Sequence, residues 1–135
     1  MKIVLLDKKC KPYRKHETDA GLDLRVRKGF AIEPHQTLIV PSGIKIALPK
    51  GTYADIKPRS SIFKRGIQIS GVIDENYRGE VGIMIHNMTN HFEVFAQYDR
   101  IAQMIIKKYE TVEFEVVDEL NETERGDGGF GSTGR

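Results

Sequence analysis

The 135 residues suffice for one domain with a single hydrophobic core, and no second domain is needed. With 21 Lys and Arg against 19 Asp and Glu, the net charge of +2 is too even for a nucleic-acid platform, so no DNA or RNA partner is expected. The single cysteine, Cys10, excludes an intrachain disulfide framework and a multi-cysteine zinc site. Along the chain, the N-terminal apolar run from Ile3 to Leu6 is cut off by Asp7 and lysines, too short for a signal peptide or a membrane span. A reducing, cytoplasmic setting is expected, or the nucleus or host-cell interior for a viral gene, with no membrane partner.

Apolar and polar residues alternate with period two over 21–26, 30–33, 44–48, 92–95 and 112–116, which predicts half-buried strands. Turn residues punctuate them at Pro41-Ser42-Gly43, at Pro49-Lys50-Gly51 and over 76–79. One short helix is predicted over 60–65, after Pro58, with Ser60 as its cap and Gly66 as its stop. Many short strands at turn spacing predict an all-β fold, a jelly-roll, sandwich or barrel. The acidic stretch 120–124 reads as a linker, dividing a β-barrel domain at 1–119 from a C-terminal arm at 120–135.

That arm ends in RGDGGFGSTGR, with five glycines in eleven residues. So much glycine makes the segment costly to order, and it is expected to stay mobile until a ligand orders it. Arg125, Arg135, Ser132 and Thr133 offer donors for phosphate oxygens, and Phe130 offers one aromatic face. The set suits a nucleoside polyphosphate. A functionless flexible tail is the alternative, but a lone large aromatic between glycines fits a tail poorly. Gly126, Gly128 and Gly131 match the G-x-G-x-x-G pattern without the βαβ setting that gives it meaning.

Other segments carry chemistry-bearing residues. In 71–80, GVIDENYRGE, Asp74 follows two apolar residues beside a tight turn, a setting for a general base or for a turn cap. In PRSS at 58–61, Arg59 and Ser60 open the predicted helix, where anions are favoured. Asp23 in AGLDL at 20–24 could equally be a strand residue facing solvent. Gln103, in RIAQ at 100–103, is a polar residue within a strand, and Tyr77 could simply pack on the hairpin.

Taken in order with the arm, these segments resemble the five motifs of the trimeric dUTP pyrophosphatase family across nearly the whole chain. The resemblance implies an all-β, distorted jelly-roll barrel that hydrolyses dUTP to dUMP and pyrophosphate, limiting uracil in DNA and supplying dUMP. By the same resemblance Asp74 activates the water that attacks the α-phosphorus. Gly71, Ile73 and Gly82 line the hairpin where uracil is read, and Tyr77 lies against the deoxyribose. Arg59, Ser60, Ser61 and Gln103 receive phosphates; Arg125, Gly131, Ser132 and Thr133 close over them while Phe130 stacks on uracil. Mg²⁺ enters with the triphosphate and meets Asp23 through a water. The family's sites are shared within a homotrimer, and a regulatory protein partner is compatible with this reading. Ser61 stands where glycine is frequent and Asn76 where an acidic residue is usual. The rival readings are a dCTP deaminase of the same fold and a nucleotide-sensing interaction protein.

Overall fold

Alternating isoleucines and valines build the interior. Along Ile67–Ile73 the side chains of Ile67 and Ile69 are fully buried, and along Glu80–Asn87 those of Val81, Ile83 and Ile85. β-Branched residues with this period suit a pleated surface with one face in the core. The computed structural model describes residues 1–134, so Arg135 of the arm lies outside the described residues.

The strands are β1 (Lys2–Leu5), β2 (Leu22–Arg25), β3 (Phe30–Ile32), β4 (Thr37–Ala47), β5 (Thr52–Pro58), β6 (Ile67–Ile73), β7 (Glu80–Asn87), β8 (Glu93–Phe95) and β9 (Arg100–Lys108). A 3₁₀ turn at Lys8–Cys10 and one helix, α1 (Ser60–Phe63), complete the regular structure. Seven strands form an antiparallel sheet in the order β1-β4-β7-β6-β5-β9-β2, and β3 pairs with β8 beside it. Strand β6 pairs with β7 through Ile67 to Ser70 and with β5 through Gly71 to Ile73, so the sheet changes neighbours along this strand and curls. The rings of Phe30 and Phe95 stack at 5.1 Å across the β3–β8 pair, and the buried Phe95 seats this small sheet against the core. This is the all-β, jelly-roll class expected from the strand spacing.

Three local expectations fail for physical reasons. Pro41-Ser42-Gly43 is a bulge inside β4 rather than a turn between strands: Gly43 has φ +76°, and the register to β7 shifts between Pro41 and Lys45. A Cβ on Gly43 would stand 2.8 Å from Cys10 Sγ, so the bulge needs glycine. In α1 the cap position is Arg59, not Ser60, and it makes no side-chain capping bond; the helix closes after one turn, before Gly66 at φ +80°. The third failure is the predicted strand at 112–116. Its alternation is real, but Val112, Phe114 and Val116 are 74%, 86% and 87% exposed, and among the described residues beyond Tyr109 the backbone makes no hydrogen bond to the sheet. A strand exists only with a partner edge, and the described residues bring none alongside.

One buried polar side chain holds the end of β7 to the small sheet. Asn87 is fully buried; its Nδ2 donates to the carbonyls of Ile32, Glu33 and His91 at 3.2, 3.1 and 2.8 Å, and its Oδ1 accepts from Thr89 N and Oγ1. Truncation would strand several buried polar groups at once. Asn87→Ala is therefore expected to lower stability by about 2–3 kcal/mol in urea unfolding.

Candidate active site

The hairpin of β6 and β7 opens where its chemistry lies. Its ladder pairs run from Ile67↔Asn87 to Ser70↔Met84 and stop. Beyond that point Gly71, Val72 and Ile73 pair with β5 on one side, and Gly82 pairs with Pro41 of β4 on the other. The inner backbone edges of the two arms therefore face a slot of about 120 Å³ lined by Val72, Ile73, Asp74, Tyr77 and Gly82. Unpaired backbone N–H and C=O groups in such a slot are fixed donors and acceptors, suited to reading the edge of a small planar heterocycle. The Tyr77 ring packs over Gly79, where an added Cβ would stand 2.3 Å from the phenol oxygen, and its hydroxyl donates to the Glu80 carbonyl at 2.9 Å.

Asp74 follows the last residue of β6, exposed beside this slot, and its carboxylate has no hydrogen-bond partner among the described residues. It also lines a larger open cleft of about 680 Å³ with Tyr53, Val72, Glu75, Asn76 and Tyr109. Glu75, next to it, is tied down: its Oε2 accepts from Gly51 N at 3.0 Å and from the Tyr109 hydroxyl. The Tyr109 bond and then the Gly51 N–H hold the Glu75 carboxyl below the usual carboxylate range, and the same bond pushes the Tyr109 phenol up.

A second cluster gathers residues from four elements. Register places Asp23 of β2 opposite Gln103 of β9, and Gln103 opposite Lys57 of β5, one residue before Pro58 and two before Arg59. Asp23 Oδ2 lies 3.1 Å from Arg59 Nε and 3.2 Å from Arg100 NH1; Arg59 NH1 donates to the Arg100 carbonyl at 3.0 Å. Gln103 Nε2 donates to the Pro58 carbonyl at 3.1 Å, and Gly21 lets it approach, since a Cβ there would lie 2.6 Å from Gln103 Oε1. Gly21, Asp23, Arg59 and Arg100 border a polar cleft of about 470 Å³ that also takes in Tyr13, Arg14, Lys15 and Asp19. Ser60 and Ser61 are exposed on the adjoining turn. Two guanidiniums around one carboxylate leave N–H donors facing the cleft, an arrangement for phosphate oxygens.

Asp23 Oδ1 has no partner among the described residues, and no group of three or more His, Cys, Asp or Glu side chains there could enclose a metal ion. This donor set does not make a protein cage. It fits a hard cation that arrives on phosphate oxygens with its own waters, one of which a carboxylate oxygen can hold.

The two clusters are separate within one chain. Asp74 lies about four residues along the strands and two strands across from Gln103, roughly 16 Å away. The polar cleft around Asp23 shares no lining residue with the slot or the open cleft beside Asp74. The described part of the arm joins neither: Phe130 is fully exposed, and Arg125 donates to Gly128 of its own turn at 2.9 Å. Sequence reading singled out neither Arg100 nor Tyr109. Arg100 carries a signal only once register sets it against Asp23, and Tyr109 only once β9 ends beside Gly51.

Residues 7–134 match the family model described as dUTPase. The chain is 40% identical to the deoxyuridine 5'-triphosphate nucleotidohydrolase of Finegoldia magna over 99% of each chain. It is 45% identical to that of Corynebacterium glutamicum, covering 100% of this chain and 95% of the relative. Among solved structures, the dUTPase of Staphylococcus bacteriophage 80alpha with dUPNHPP superposes with a TM-score of 0.90 at 27% identity, over 99% of this chain and 98% of that one. No helix of the described residues is long and apolar enough to cross a membrane. With an opened hairpin beside Asp74, a guanidinium-lined cleft around Asp23, and these relatives along its whole length, the chain belongs to the dUTPase family.

Proposed function

We infer that this chain hydrolyses dUTP to dUMP and pyrophosphate, and the observation that carries the reading is the hairpin unzipped beyond Ser70↔Met84 with Asp74 at its mouth. Uracil enters the slot and meets main-chain groups of Gly71, Ile73 and Gly82. A main-chain donor cannot become an acceptor, so cytosine leaves polar groups unpaired, at about 1–3 kcal/mol for each. Tyr77 stands against the sugar. Asp74 accepts a proton from a water as its oxygen bonds to the α-phosphorus, and the bond from that phosphorus to the bridging oxygen breaks to release pyrophosphate. Its lack of any partner among the described residues leaves both carboxylate oxygens available for this.

Arg59, Ser60, Ser61 and Gln103 supply donors to oxygens that gain charge. Mg²⁺ arriving with the triphosphate would be held by Asp23 through a water and would offset phosphate charge. The arm closes the site, with Phe130 over the base and Arg125, Gly131, Ser132 and Thr133 toward the terminal phosphate. We assign the assembly as a homotrimer whose copies share sites. The roughly 16 Å between the clusters supports this. So do the exposed apolar side chains of Ile39, Val72 and Met84 on the sheet and the unpartnered alternation over 112–116, surfaces that a second copy would cover. A cytoplasmic place beside the nucleotide pool fits this chemistry, and the same uracil-directed site could serve a regulatory protein partner.

Pyrophosphate release from dUTP, dCTP, dTTP and UTP in parallel, with Mg²⁺, tests the reading. Hydrolysis of dUTP at least about 100-fold faster than of the other three is expected. Ammonia released from dCTP would instead make this a deaminase, and dUTP binding without cleavage would make it a sensor.

A further inference from the structure

The opened slot creates a mechanical problem. Once the β6–β7 ladder stops at Ser70↔Met84, main-chain bonds between the arms no longer set the position of Asp74. Ile73 still pairs with Ala54, but Asp74 lies past that pair, at the start of the connecting turn. Within the turn the bonds are internal: Tyr77 N donates to the Asp74 carbonyl at 3.1 Å, and Arg78 NH1 donates to the carbonyls of Glu75 and Tyr77. Among the described residues, Glu75 is the one side chain of 74–79 whose hydrogen bonds leave the hairpin.

Its two partners form a closed ring. Gly51 N donates to Glu75 Oε2, Tyr109 OH donates to the same oxygen, and Tyr109 N donates to the Gly51 carbonyl at 3.2 Å. The Gly51 end is firm, because Thr52 N and Oγ1 both bond the Pro49 carbonyl and glycine adopts φ +78° there at no cost. The Tyr109 end is the first residue after β9, where the chain leaves the sheet toward the arm. We propose that Glu75 is a positioning residue for dUTP hydrolysis, holding Asp74 in place through Gly51 and Tyr109 and tying the catalytic turn to the root of the C-terminal arm. The inference rests on the reading of Asp74 as the general base. The Tyr109 and Gly51 bonds hold the Glu75 carboxyl below the usual carboxylate range, as they would a fixed acceptor.

Full-length Glu75→Ala, Glu75→Gln, Tyr109→Phe and the double variant Glu75→Ala/Tyr109→Phe, assayed for kcat and KM with dUTP, test it. Glu75→Ala is expected to lower kcat about 10- to 100-fold with KM within about threefold, because a misplaced base slows the chemistry without removing a substrate contact. Glu75→Gln keeps an oxygen for both donors and is expected to stay within about threefold of the parent, which a direct role for the charge would not allow. Tyr109→Phe should lower kcat about three- to tenfold, and the double variant should match Glu75→Ala alone. An unchanged kcat in Glu75→Ala, a loss expressed in KM, or multiplying effects in the double variant would overturn the proposal. If Glu75→Ala does not fold, Tyr109→Phe decides: a lowered kcat at constant KM supports the ring, and an unchanged kcat refutes it. Asp74→Asn run beside them separates the two readings. Activity retained there removes the base assignment and the positioning role with it; activity lost there with Glu75→Ala intact removes the positioning role alone.

Discussion

Asp74→Asn is expected to cut kcat for dUTP hydrolysis by about 10³-fold while leaving the affinity for dUpNHpp within a few-fold. The amide has nearly the shape of the carboxylate but cannot take a proton from water, so the exchange removes chemistry and little else. Structure makes this variant unusually clean. The Asp74 carboxylate bonds to no other group among the described residues, so no fold contact is lost, and the slot is left with the same walls. Asp23 offers the contrast: its carboxylate joins Arg59 and Arg100, and its replacement would loosen both arginines and raise KM as well. Steady-state kinetics with equilibrium binding of dUpNHpp on the same preparation check the split. A kcat within tenfold of the parent would leave Asp74 as a turn residue and place the base elsewhere.

How far the sequence speaks depends on whether a feature is local. Period-two alternation located β2, β3, β8 and part of β4, because one wet and one dry face leave a mark on neighbouring residues. It could not tell which strands pair. Residues 112–116 alternate as cleanly as any strand in the chain, yet they pair with none of the described residues, since the pattern records a face that wants cover and not the edge that supplies it. Pro41-Ser42-Gly43 reads as a turn from composition, and only the packing of Cys10 under Gly43 shows why the chain bulges and continues. Ser60 reads as a cap, but Arg59 takes that position while its side chain is drawn to Asp23.

The candidate site divides the same way. Asp23, Arg59, Gln103 and Asp74 could be singled out because residue type and motif order identify them. Arg100, Tyr109 and the tie made by Glu75 are products of register, with partners 77, 58 and 24 to 34 positions away in the chain. The opening of the hairpin was equally silent. Nothing in the one-dimensional pattern of β6 and β7 shows that their ladder ends at Ser70, because what ends it is the rival claim of β5 on Gly71 to Ile73.

A chain ending at Glu119 is expected to fold as the parent does and to lose about 10²- to 10⁴-fold in kcat/KM for dUTP. The fold should survive because no described residue beyond Tyr109 bonds to the sheet, while residues 112–116 stay in place for a neighbouring copy. The loss follows from what the arm would bring: base stacking on Phe130 is worth about 1–3 kcal/mol, and a charge-assisted bond from Arg125 to phosphate about 1.5–3 kcal/mol. The decisive form of the experiment co-expresses this truncated chain with full-length Asp74→Asn, each inactive alone. In a trimer whose arms cross to a neighbour, a site draws a competent hairpin with probability one half and a competent arm from another copy with probability one half. About a quarter of sites are then whole, and activity returns to about that fraction of the parent. If each arm closed over the hairpin of its own chain, every chain with an arm would lack the base, and mixing would restore nothing.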